Sequence, residues 1–106
     1  MKSLPRLSHT STQVGSYLFI FGGHNGSKYL SELNLLNLVT MSFEACKVQG
    51  EIPIGRGYTS GVLVDGRIFY FGGYDGRNIY DDLYVLELSS QAYLPQITKF
   101  EILLDE

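Results

Sequence analysis

Cysteine is nearly missing from this chain of 106 residues: Cys46 stands alone, so no disulfide forms within it. A single thiol with no signal peptide ahead of it fits a reducing compartment, and a cytoplasmic, intracellular setting is expected. No apolar run is long enough for a membrane-spanning helix. Basic residues are few and scattered, 8 Lys and Arg against 11 Asp and Glu for a net charge of -3. Without a dense positive stripe to displace counterions, nucleic acid is not an expected partner. Histidine occurs only as His9 and His24, too thin a set for a metal-binding motif.

What the chain does have is a repeat. Phe21-Gly22-Gly23 returns as Phe71-Gly72-Gly73, a shift of 71 minus 21, or 50 residues. Laying residues 6–43 on 56–93 without a gap keeps ten identities: Arg6/Arg56, Val14/Val64, Phe19/Phe69, Phe21/Phe71, the two glycine pairs, Gly26/Gly76, Leu33/Leu83, Leu36/Leu86 and Leu38/Leu88. Self-similarity at tens of residues marks a stack of supersecondary units, each too small to bury its own apolar face.

The local pattern inside each unit is β. Tyr17 to Phe21 and Ile68 to Phe71 are short apolar runs rich in aromatic and β-branched residues, each reaching a glycine pair taken as the strand's end. Tyr29 to Leu38 is ambiguous alone, because Leu30, Leu33 and Leu36 lie three apart and Ser31 suits a helix cap. The second copy, Leu83 to Leu88, is rich in strand formers, and equivalent units share one conformation, so both are read as strands. Gly15-Ser16 and Asp65-Gly66 predict tight two-residue turns, and His24-Asn25-Gly26 and Tyr74-Asp75-Gly76 open the next loops. A fourth strand is expected from Phe43 to Val48. In the second unit Pro95 moves its counterpart on to Ile97–Leu104.

These residues resemble the kelch repeat: Arg6, His9-Thr10, Gly15, Leu18 to Gly23, Gly26, Leu33, Leu36, Leu38, Thr40 and an aromatic at 43. Phe43 and Tyr93 stand where that family often has Trp. The resemblance covers residues 6–93 in two copies and implies an all-β fold of two four-stranded antiparallel blades of a kelch-type β-propeller. Residues 1–106 then form one partial propeller domain, blade one spanning 6–55 and blade two 56–104. Propellers carry about four to eight blades, so two do not close one. Further blades, sought beyond Glu106, or self-association are expected to cover the open apolar flanks.

The resemblance implies a non-catalytic protein-interaction module, an adaptor or scaffold, with no cofactor. Its relatives serve ubiquitin ligases, small GTPases and the cytoskeleton. The alternative is a fragment of a propeller enzyme such as a galactose oxidase-like copper oxidase or a sugar-processing enzyme. That copper centre draws on His, Tyr and Cys, but His9, His24 and Cys46 fall on a first strand, a loop and an outer strand, so neither a metal site nor a catalytic residue is assigned. Asp81-Asp82 sits where Ser31-Glu32 does in the first unit, which favours a structural role over acid–base work. Arg6 and Arg56 are expected to brace blades, and Gly22, Gly23, Gly72 and Gly73 to serve the backbone. Asn25-Gly26-Ser27 matches a glycosylation acceptor, of little weight without a secretory signal.

The copies diverge most in the loops after each glycine pair, and loops carry recognition on a repeated scaffold. In kelch proteins these loops share a face with the blade connection, here Gln49 to Gly55, and that face commonly engages protein partners. The candidate partner-binding residues are therefore His24, Asn25, Lys28 and Tyr29 in the first unit, and Tyr74, Asp75, Arg77, Asn78 and Tyr80 in the second. Tyr and Arg are favoured anchors in protein interfaces.

Overall fold

The computed structural model describes residues 7–44, 47–88 and 97–104; Arg6, Cys46, Tyr93 and Pro95 lie outside them. Nine strands are present there: β1 Thr10–Val14, β2 Tyr17–Phe21, β3 Leu33–Asn37, β4 Ser42–Glu44, β5 Lys47–Gly50, β6 Ser60–Val64, β7 Arg67–Tyr74, β8 Ile79–Glu87 and β9 Ile97–Leu104. They build two sheets, ordered β1-β2-β3-β4 and β5-β9-β8-β7-β6. Among the described residues no helix is long and apolar enough to cross a membrane.

Each sheet begins as the expected meander. Val14 pairs with Tyr17 and Val64 with Arg67, which leaves the two-residue turns at 15–16 and 65–66. Asp65 and Gly66 both hold positive φ, 49° and 71°, the mirror-image turn that matches strand twist. The last strand starts at Ile97, beyond Pro95, as the missing N–H of proline requires.

Two expectations need correction. The glycine pair does not end the second strand in both units, because β7 runs through Gly72 and Gly73 to Tyr74, with a register shift between Phe71 and Gly73. A bulge there absorbs the positive φ of both glycines, 70° and 126°, without breaking the ladder. Nor is Phe43 to Val48 one strand. β4 stops at Glu44 in the first sheet, while β5 begins at Lys47 in the second, running parallel to β9 with Lys47 opposite Ile97 and Gly50 opposite Phe100. Residues 47–50, counted with blade one by the repeat, therefore pair with blade two.

The core lies between the sheets. Phe19, Phe21, Leu33 and Leu35 of the first face Ile68, Tyr70, Leu86 and Phe100 of the second. The ring of Phe21 sits 5.1 Å from Tyr70 and 5.3 Å from Phe100, tilted as aromatic quadrupoles prefer. Full burial of each such side chain contributes about 1.5–3 kcal/mol. The repeat shows what this stacking covers: Phe21 is 1% exposed, whereas its counterpart Phe71, on the side of the second sheet turned away from the first, is 51% exposed. Val62 and Leu103 are also exposed. The second sheet thus keeps an apolar flank that the first has buried.

Candidate functional site

The connection from blade one to blade two threads between the loops of both. Arg56 donates its N–H to the carbonyl of Leu30 at 3.1 Å and accepts the N–H of Gly23 at 2.9 Å. One residue on, Gly57 exchanges two backbone bonds of 2.9 Å with Tyr74, and Tyr58 donates to the carbonyl of Ser8 at 2.9 Å. Side chains projecting from these segments therefore meet at one seam.

Beneath the seam lies the Arg56 side chain. Its Nη1 is 2.5 Å from Asp82 Oδ1 and 3.3 Å from the carbonyl of Gly72, and Nε donates to the carbonyl of Ile54 at 3.0 Å. The guanidinium lies 3.9 Å from the centre of the Tyr80 ring and 5.5 Å from that of Tyr84. A buried cation is tolerated only when paired and hydrogen-bonded, and here Asp82, two carbonyls and an aromatic face meet that condition. Asp82 thus supports the fold, paired with the Arg of its own repeat, while the backbone of Arg56 carries the link to blade one.

Above the seam lies a group of rings. Tyr29, from the first loop, packs edge-on at 4.7 Å from His24 and 6.0 Å from Tyr74 of the second loop. Gly57 gives it room, since a Cβ there would stand 2.9 Å from the Tyr29 ring. Desolvation raises the Tyr29 phenol pKa, and nearby Tyr58, Tyr74 and Asp75 add to the rise, so its hydroxyl stays protonated at neutral pH. Tyr58 is 70% exposed and holds φ of 59°, a strained conformation for a large side chain. Lys28 and Arg77 are exposed on the two loops.

The remaining predicted residues organise the loops themselves. Asn25 Oδ1 accepts the N–H groups of Ser27 and Lys28 at 2.9 and 3.0 Å. Asp75 Oδ1 repeats this with Arg77 and Asn78 at 2.9 and 2.7 Å, while its Oδ2 accepts Tyr80 Oη at 2.6 Å and Asn78 Nδ2 at 3.3 Å. These bonds, that of Tyr80 foremost, hold the Asp75 carboxyl well below the usual range, and the same bond raises the Tyr80 phenol. Tyr80 also faces inward as the platform under Arg56. The structure thus brings His24, Tyr29 and Tyr74 together, leaves Lys28 and Arg77 at the margins, and occupies Asn25, Asp75, Asn78 and Tyr80 within the turns.

Tyr58 was not among the residues picked from the sequence, because it reads there as the start of a first strand. The signal was its replacement of Ser8 at the equivalent position, where Ser8 shares the left-handed φ, at 60°.

The depressed pKa of Asp75 has a consequence in acid. A carboxylate whose folded pKa lies below its unfolded value, about 3.9, adds stability that is present above that value and lost as pH falls through the folded one. Asp75→Asn should therefore give a shallower fall of melting temperature below about pH 4 than the unaltered chain. An unchanged acid limb would remove Asp75 from the account.

Comparison with known proteins agrees with the two-sheet architecture. The model of the KLHDC2/KLHL20/DRC7 Kelch-repeats domain matches residues 2–102. Kelch domain-containing protein 2 of Bos taurus is 35% identical over 71 residues, covering 66% of this chain and 18% of the relative. Kelch domain-containing protein 1 of Homo sapiens is 26% identical over 105 residues, covering 91% of this chain and 26% of the relative. The leucine-zipper-like transcriptional regulator 1 homolog of Drosophila melanogaster is 30% identical over 95 residues, covering 82% of this chain and 10% of the relative. The chain spans well under a third of the length of each. With the repeat, the paired sheets and the family match on 2–102 in agreement, the chain belongs to the kelch-repeat proteins, whose domains generally serve as protein-interaction modules.

Proposed function

We propose that the ring group at the blade seam is a docking surface for a protein partner, and that the chain acts as a non-catalytic adaptor or scaffold element in an intracellular setting. The observation that carries this reading is Tyr29 reaching from the first loop to within 6.0 Å of Tyr74 in the second, beside the exposed ring of Tyr58. Rigid aromatic side chains offer large contact area at low entropic cost and dominate the energetics of interfaces. Lys28 and Arg77 frame the rings with positive charge, which favours encounter with a partner segment carrying acidic residues.

The titratable groups at the seam support binding over catalysis. Asp75 is engaged by Tyr80 and two backbone N–H groups, and His24 Nδ1 accepts the N–H of Gly26 at 3.0 Å. Acid–base work on a bound substrate requires such groups to point at the substrate's reacting atom, and these point into their own turns.

The test is a photo-crosslinking residue at position 58, with one at Thr40 on a β3–β4 turn as control, followed by affinity measurement on the captured partner. Crosslinking from 58 alone is expected, with Tyr29→Ala plus Tyr74→Ala weakening the complex at least about tenfold at an unchanged melting temperature. Equal capture from both positions, or unaltered affinity, would place the docking surface elsewhere.

A further inference from the structure

We propose that Asn25 is a self-modifying residue, converted through a cyclic imide to aspartate and isoaspartate by the turn that holds it. Three features of the turn meet at this side chain. Gly26, with no Cβ to shield its nitrogen, follows Asn25 directly. Its N–H donates to His24 Nδ1 at 3.0 Å, so Nδ1 is the acceptor in this contact and faces, as a base, the nitrogen that must attack. The side-chain carbonyl of Asn25 accepts the N–H groups of Ser27 and Lys28, a pair of fixed donors on the oxygen that becomes negative when Cγ is attacked.

The step balances within the turn. Gly26 N gives its proton to His24 Nδ1 and forms a bond to Asn25 Cγ, and Oδ1 takes up the negative charge between the two N–H groups. Collapse of this intermediate breaks the Cγ–Nδ2 bond, and Nδ2 leaves as ammonia with the proton returned by the imidazolium. Water then opens the five-membered imide. Breaking the Gly26 N–Cγ bond yields aspartate, and breaking the bond from Gly26 N to the Asn25 main-chain carbonyl yields isoaspartate. The net reaction exchanges one amide for one carboxylate, consuming water.

The second repeat builds the same turn around an aspartate. Asp75 occupies the equivalent position in a turn closed by the same backbone bond, Asp75 N–H to Asn78 at 3.2 Å, as Asn25 N–H to Lys28 at 3.2 Å. Both of its backbone donors bind Oδ1 at distances matching those at Asn25. The turn therefore accepts a carboxylate without rebuilding, and two N–H donors favour an anion over a neutral amide. What the second turn lacks is the base: position 74 is Tyr, whose hydroxyl donates to the carbonyl of Gly76 at 2.9 Å. Conversion at 25 would place a new negative charge next to His24 and Tyr29, on the rim of the ring group.

The experiment follows residue 25 by peptide mapping and mass spectrometry in the folded chain, in the same chain held in denaturant, and in a synthetic peptide of residues 21–31, all in one buffer at neutral pH. The Asn25→Asp chain serves as product standard. The folded chain is expected to convert about tenfold faster than the peptide. His24→Phe, which keeps a ring against Tyr29 but removes the acceptor, is expected to fall to the peptide rate. Survival of Asn25 in the folded chain while the peptide reacts would overturn the proposal, as would an equal rate in a folded His24→Phe chain. Should that variant not fold, the native-against-denatured comparison decides alone, since a native rate at or below the denatured one removes any role for the turn.

Discussion

Replacing Arg56 by alanine is expected to lower the unfolding free energy by about 3–5 kcal/mol, the cost of leaving one member of a buried ion pair behind. Arg56 is 1% exposed and Asp82 5%, so water does not reach the stranded carboxylate. Its partner's removal also takes a donor from the carbonyls of Ile54 and Gly72, the latter keeping the Thr59 hydroxyl, and opens a void above the Tyr80 ring. Urea unfolding at fixed protein concentration measures the loss. The double variant Arg56→Met with Asp82→Leu should recover most of it, because the large term is the unpaired charge rather than the net strength of the pair. A loss below about 1 kcal/mol for the single variant would show that the pair behaves like one at the surface.

Gly22→Ala is expected to cost about 2–5 kcal/mol, combining the left-handed backbone with overpacking. Gly22 holds φ of 73°, and a Cβ there would lie 2.5 Å from the carbonyl oxygen of Arg56. That oxygen belongs to the backbone and is held by the Gly23 N–H at 2.9 Å, so it yields only if the two blades part at the seam. Gly26→Ala is the control: φ is 98°, but nothing lies within 4 Å of the added carbon. It should show the conformational cost alone, about 1–2 kcal/mol. Equal losses for the two variants in thermal or urea melts would mean that the seam accommodates the methyl.

Much of this architecture was legible in the sequence because the repeat supplied a second reading of each ambiguous stretch. Leu33–Asn37 has helical leucine spacing, yet Leu83 to Leu88 identified both as strands, and both pair antiparallel with their neighbours. The split of Phe43 to Val48 was not legible for the converse reason. Its counterpart in the second unit contains Pro95, where the sequence match between the copies has ended, and uniform strand-forming composition does not say which sheet an edge strand joins. At the site, divergence between copies nominated His24, Tyr29 and Tyr74 among the candidates for partner contact, and these three rings lie together. It did not separate residues facing outward from those closing a turn, since Asn25 and Asp75 differ between copies while making equivalent bonds to the backbone. The inward turn of Tyr80 depends on a guanidinium supplied 24 residues earlier, by Arg56, which no local pattern reports.

The parallel pairing of β5 with β9 also bears on where this chain divides. Lys47 lies opposite Ile97 and Gly50 opposite Phe100, so each residue pairs with the one 50 positions ahead, its own counterpart in the next unit. The segment that follows the outer strand of the first blade is thus laid along the outer strand of the second, in the manner of a hem stitched one repeat out of step. Cleavage at the sequence boundary between residues 55 and 56 would not release two whole blades, because it would leave an orphaned strand on the first piece and strip an edge from the second. By sheet membership, Ser42–Glu44 goes with the first piece and Lys47–Gly50 with the second.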